Sequence, residues 1–140
     1  MTHVRLNRFR LFLDANVLVS AAWKEGSKVG RIWRIPNVEL ITSNYVVVEC
    51  QRNLPLGEQQ DRLTRFLQSV RVLEFQAAPQ LENSPPLPAK DQHVFAAAVL
   101  SRAHYLVTGD RKHFGAWYGT TVLGLRVEPP GRFPEVMHER

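Results

Sequence analysis

The 140-residue sequence predicts an α/β fold: a mostly parallel central sheet of about five strands with helices on both faces, residues 1–140 forming one domain. Three observations carry this reading. Short β-rich apolar runs alternate with segments of helical spacing, in the order β-α-α-β-α-α-β-loop-α-β-turn-β. The first run ends in an unbroken apolar stretch, as strands covered on both faces do. The balance of 44 % apolar to 22 % charged residues is globular, on a chain long enough to bury a core without a metal or disulfide staple.

Taken in order, RFRLFL (8–13) is too short for a helix, and Asp14 stops it. Residues 16–23 (NVLVSAAW) form a short helix that Lys24–Gly26 breaks. Val29, Ile32 and Trp33 have helical spacing, and Pro36 ends that segment. VELIT (38–42) is the second strand. Ser43 is an N-cap for a helix over 44–54. Residues 57–69 are amphipathic, with Leu63, Phe66 and Leu67 on one face and Arg62, Arg65 and Gln68 on the other. VRVLEF (70–75) alternates as a third strand. Residues 76–90 are a Pro-rich loop within the domain. An apolar helix over 91–103 precedes a fourth strand, YLVT (105–108), ended by Gly109–Asp110. Residues 121–127 form a fifth strand, open to being an antiparallel edge. The tail holds one helical turn around 134–137 and otherwise frays.

Several function classes are excluded. The single cysteine, Cys50, cannot form an internal disulfide or supply a Cys-based zinc site. The histidines at 3, 93, 104, 113 and 138 form no H-x-x-x-H pair. No apolar run approaches a membrane span, and the N-terminus lacks the apolar core of a signal peptide, so a cytoplasmic location without membrane attachment is expected. Lys+Arg exceeds Asp+Glu, 18 to 13, and Arg dominates the bases. Arg's planar fork suits phosphate, so the excess points to a polyanion or to a basic solubility surface.

Ligands of open α/β sheets bind beyond the carboxyl ends of the strands. Asp14 and Asp110 both stand there. Asp91 heads a helix whose stripe Val94, Phe95, Ala98 and Val99 faces the core, and Glu49 has Tyr45 and Val46 one turn back. Buried carboxylates are costly unless paired or bound to a cation. Taken singly, each acid has a plain structural role. Asp14 and Asp91 can cap helices, Asp110 can make a turn, and Glu49 can pair with Arg52 or Arg62. Their joint placement argues for one pocket. Carboxylates without His or Cys suit a hard cation, Mg²⁺ or Mn²⁺. Setting these four acids in one cleft leaves nine acids against 18 bases elsewhere, a basic body around an acidic site.

At these residues the sequence resembles the PIN domain family of metal-dependent nucleases. LFLDANVLVSAAW is similar to the family's opening Asp-x-Asn motif after the first strand. ITSNYVVVEC is similar to the Ser-led helix carrying its glutamate. DQHVFAAAVLSRAHYLVTGDRKHF is similar to the Asp-headed helix, strand and closing T-x-D motif, and the resemblance spans residues 9–127. It implies that Asp14, Glu49, Asp91 and Asp110 are the catalytic, metal-holding acids, for Mg²⁺ (or Mn²⁺), with Asn16 and Thr108 in support. Arg111 and Arg52 are candidate phosphate contacts. Many members carry a further acid where this chain has Lys112 and His113, which implies one tightly held ion and a second recruited by substrate.

The implied activity is endonucleolytic cleavage of single-stranded RNA by a metal-activated water, leaving 5′-phosphate and 3′-hydroxyl ends. Implied partners are RNA and, as in small bacterial toxins of toxin–antitoxin pairs, an antitoxin protein. The stretch around Trp23, Ile32 and Trp33 makes a homodimer an alternative to ordinary core packing. The rival reading is a catalytically inactive PIN-like module that binds RNA or protein. A haloacid-dehalogenase-type phosphatase would need a second acid where Asn16 stands, and a receiver domain would need acids before Asp14 and a late Lys.

Overall fold

The structure is a computed structural model that describes residues 8–138. The signal-peptide reading and His3 fall on residues outside that range, as does the extreme tail.

Strand β1 (Phe9–Leu13) leads directly into helix α1 (Ala15–Trp23). Leu11, Phe12 and Leu13 are all fully buried, so the apolar run is covered on both faces. The segment Lys28–Arg34 that follows is a 3₁₀ helix, not the α-turns the spacing predicts. A single buried anchor, Ile32, holds it, and Trp33 donates its indole N–H to the Phe66 carbonyl at 3.0 Å. Of the stretch considered for dimerisation, Ile32 and Trp33 are thus used internally, while Trp23 is 49 % exposed.

Strand β2 (Val38–Ser43) runs into α2 (Asn44–Arg52). Ser43 caps α2 as expected, its hydroxyl accepting from Val46 N–H at 3.2 Å. Helix α3 (Gly57–Leu67) packs on α1 and closes that helix's C-terminus. Gln59 donates to the Trp23 carbonyl, and Arg62 donates to the carbonyls of Ala22 and Trp23. Arg62 therefore folds back onto α1, where it also meets Glu25, and does not pair with Glu49.

Strand β3 (Val70–Leu73) precedes the Pro-rich connection, and α4 (Ala89–Leu100) leads to β4 (Tyr105–Val107). Arg102, at φ 61°, ends α4 in a left-handed turn, with Arg102 N–H on the Val99 carbonyl and Ala103 N–H on the Ala98 carbonyl. Beyond β4 come α5 (Arg111–Phe114), a turn at Gly115–Trp117, β5 (Thr121–Val122), β6 (Leu125–Glu128) and α6 (Glu135–His138).

The sheet order is β3-β2-β1-β4-β6-β5, parallel throughout except at the β5–β6 pair. The chain winds from β1 outward through β2 to β3, then crosses back to β4 on the other side of β1. With the right-handed crossovers that parallel strands favour, this reversal of winding sets α1 and α4 on opposite faces. The order reverses at the β1–β4 pair, whose carboxyl ends therefore open onto a crevice. The ends are in register, Leu13 beside Val107.

The expected fifth strand is two strands. Residues 121–127 break at Leu123 and Gly124, whose φ values of 52° and 81° are both positive, as a two-residue hairpin turn requires. Glycine takes that conformation freely, and leucine does not. Leu123 is half exposed and contributes little packing in return. We predict that Leu123→Asn, which gives the turn its preferred Asn-Gly pair, stabilises the protein by about 1 kcal/mol. Thermal denaturation should show a rise in Tm of about 2–4 °C. An unchanged or lower Tm would count against strain at this turn.

Candidate active site

The crevice is built outward from the end of β1. Asp14 continues that strand, its N–H bonded to the Val107 carbonyl at 3.0 Å, and it caps α1 through Oδ1, which accepts from Ala15 N–H at 2.7 Å. Its Oδ2 accepts from the Thr108 hydroxyl at 2.8 Å. Cap and site residue are thus one carboxylate. The same Thr108 oxygen accepts from Asp110 N–H at 3.1 Å, so one hydroxyl ties the acid after β1 to the backbone of the acid after β4.

Asn16 strengthens the tie. Its side-chain oxygen accepts from Gly109 N–H at 2.6 Å, and its amide lies 3.3 Å from Asp14 Oδ2. Gly109 leaves room for this approach, since a Cβ there would sit only 3.2 Å from Asn16 Oδ1. On the adjacent strand, Thr42 donates to the Leu13 carbonyl at 2.8 Å and fixes the end of β1 from the other side. The Tyr118 hydroxyl donates to the Thr108 carbonyl at 2.8 Å.

Asp91 lies within the first turn of α4, two residues inside its start, and is buried on the core-facing side. It is not the N-cap, which is Pro88 without a side-chain bond. Asp110 caps α5, accepting from His113 N–H at 3.2 Å. The His113 ring then comes between the two acids. Its Nδ1 is hydrogen-bonded to Asp110 Oδ2 at 2.8 Å and lies 2.8 Å from Asp91 Oδ2. One ring nitrogen carries at most one proton, so Asp91 Oδ2 is left buried without a hydrogen bond of its own.

Ligand atoms of Asp91, Asp110 and His113 all lie within 4.8 Å of one another. Glu49, on α2, acts on both Asp14 and Asp91 through its charge and lines the neighbouring groove together with Arg52. Arg111 is exposed on α5, and its charge reaches Tyr118.

The electrostatics are those of a crowded acidic pocket. Burial pushes the Asp14 carboxyl up to about 6, and the charges of Glu49 and Asp91 add to this, against the bonds from Thr108 and Ala15. Burial likewise raises Asp91. His113 and Lys90 oppose that shift, while Asp110 and Glu49 reinforce it. A divalent cation would reverse these penalties. The buried Asp91 oxygen and its oxygen-rich neighbours fit a hard ion, with one imidazole nitrogen added. The expected site residues do not include His113, yet three residues past Asp110 α5 returns its ring to the carboxylates. Cys50 takes no part. It is buried, and its thiol is pushed up to about 12, by burial first.

The sequence profile of the PIN domain family matches residues 10–112. No curated protein matches the sequence. Among solved structures, the chain is similar to VapBC2 from Rickettsia felis bound to a DNA fragment from their promoter, at 18 % identity and a TM-score of 0.58, covering 86 % of this chain and 98 % of that one. It is also similar to a PilT N-terminus domain protein from the hyperthermophilic archaeon Sulfolobus solfataricus P2, at 15 % identity and a TM-score of 0.56, covering 94 % and 96 %.

A pH dependence follows from the shift of Asp14. With its folded pKa above the unfolded value of 3.8, the native state keeps a proton that the unfolded chain has lost. In the presence of chelator this contribution to stability is complete below 3.8, declines as pH rises and is gone above about 6. The loss amounts to about 3 kcal/mol at most. Asp14→Asn should flatten this decline and leave the metal-free protein more stable than wild type at neutral pH. Denaturant titrations in chelator across the acid range would measure it, and equal slopes for the two proteins would refute it.

Proposed function

Given that the chain belongs to the PIN domain family, we propose that it is a metal-dependent endoribonuclease that cleaves single-stranded RNA and is the toxin of a toxin–antitoxin pair. The observation that carries the reading is the meeting of Asp91 and Asp110 at the topological switch point, beside a buried Asp14 held by Thr108. The VapBC2 assembly named for one structural relative supports an antitoxin protein as partner. Among the described residues, no helix is long and apolar enough to cross a membrane.

In this reading Asp14, Asp91 and Asp110 hold Mg²⁺ or Mn²⁺, with Glu49 contributing charge and His113 standing where it can give a nitrogen ligand. The bound cation supplies neutralisation of phosphodiester charge and acidification of a water. The chain's own residues position the parts. Thr108 and the α1 N-terminus fix the Asp14 carboxylate while leaving lone pairs free. Asn16 holds the loop carrying Asp110 at the correct distance from Asp14. Arg52 and Arg111, both exposed, contact the RNA backbone. The retention of all four acids favours this over an inactive binding module.

Cleavage of a defined single-stranded RNA should require added Mg²⁺ or Mn²⁺ and stop with chelator. Asp14→Asn should lower the rate by about two orders of magnitude or more. An Asp14→Asn protein as fast as wild type would overturn the catalytic reading. Thr108→Val, which keeps the shape and removes the hydroxyl, should weaken metal binding by about tenfold in calorimetry. Unchanged affinity would deny Thr108 its positioning role.

A further inference from the structure

We propose that the groove between α2, the segment after β3 and the start of α4 takes a nucleobase of the single-stranded RNA next to the scissile phosphate, stacked on Tyr45. This rests on the ribonuclease reading and adds where the substrate lies. The groove has a volume of about 680 Å³, within the range that accepts a nucleotide-sized ligand.

Its walls are aromatic. Tyr45 on α2 and His93 on α4 stand with ring centroids 5.6 Å apart, tilted by 55°, and Phe75 contributes a third ring. These walls are held in place by bonds that do not depend on ligand. Asn44 both donates to the Phe75 carbonyl at 2.9 Å and accepts from Phe75 N–H at 3.1 Å. The Tyr45 hydroxyl donates to the Gln76 carbonyl at 3.4 Å.

The groove borders the acidic crevice: Glu49 lines it, and so do Lys90 and His93, which stand on either side of Asp91 in α4. At its rim stand two exposed cations, Arg52 and Lys90, the latter next to Asp91 in sequence. Aromatic faces flanked by cations are what a single strand needs: the rings stack bases of any sequence and the cations follow the backbone. A base within a duplex has both faces covered, so this groove selects unpaired RNA.

The test crosses a change in the protein with a change in the RNA, using the full chain. Short single-stranded RNAs carrying one abasic residue at each position in turn are compared with the intact RNA. At the position beside the cut, loss of the base should raise KM by about tenfold for wild type. Tyr45→Ala should raise KM for intact RNA by a similar factor and be nearly indifferent to the abasic residue. Tyr45→Phe keeps the ring and loses only the bond to Gln76, so it should stay sensitive to the abasic residue and raise KM for intact RNA less than Tyr45→Ala does. Val48 is exposed on the same wall, so Val48→Trp should block the groove without disturbing the core.

Effects of base loss and Tyr45→Ala that simply add, or a Val48→Trp protein that binds RNA as wild type, would overturn the proposal while leaving the nuclease intact. Loss of affinity for a protein partner with unaltered RNA kinetics would reassign the groove to that partner. If wild type neither binds nor cleaves RNA, the ribonuclease reading fails, and this inference fails with it.

Discussion

The Thr108 hydroxyl is the joint on which the site depends. It donates to the Asp14 carboxylate and accepts from the Asp110 backbone, spanning the ends of two neighbouring parallel strands. It can do so only because Leu13 and Val107 are paired in register, so that the next residues on each strand leave the sheet side by side. A slip by one residue would turn Thr108 to the other face and separate the carboxylates. The fully buried run Leu11–Leu13 guards against such a slip, since either shift would bring polar neighbours into the core. Packing of β1 and the chemistry of the crevice are therefore one constraint.

That constraint has an electrostatic cost. Asp14 and Asp91 are nearly inaccessible, and each raises the proton affinity of the other or shares a neighbour that does. Backbone N–H groups, hydroxyls and the His113 ring offset part of it. The remaining repulsion lowers the stability of the fold without a cation, as groupings of like charge in a crevice do. The chain as a whole nevertheless carries 18 basic against 13 acidic residues, so the acidic crevice stands against a net positive charge.

Much of this was legible in the residues. The alternation of apolar runs and helical stripes fixes the class of sheet, and Ser43, Pro36 and the Pro-rich loop punctuate it where the structure does. Asp14 and Asp110 could be placed at strand ends because LFLD and LVTGD each pass from apolar run to acid. What could not be read lies in tertiary context. Leu123 has no preference for a hairpin turn, so the split of the last strand was hidden, although Gly124 was a signal. Arg62 looked like a solvent-facing residue until α1 supplied carbonyls for it. His113 carried a local signal in its spacing from Asp110, but its contact with Asp91 exists only once α4 and α5 meet at the crevice. Glu128 is wholly buried and paired with Arg126 at 2.5 Å, a burial that its residue type does not signal.

The winding of the sheet also bears on the order in which the protein is made. The chain lays down β1, β2 and β3 before it crosses back to β4. A nascent chain that has emerged only as far as the Pro-rich connection holds Asp14 and Glu49 but lacks Asp91, Thr108, Asp110 and His113. It has neither the hydroxyl that orients Asp14 nor the cluster of Asp91, Asp110 and His113. The crevice therefore comes into being only with the second half of the chain, when β4 pairs alongside β1.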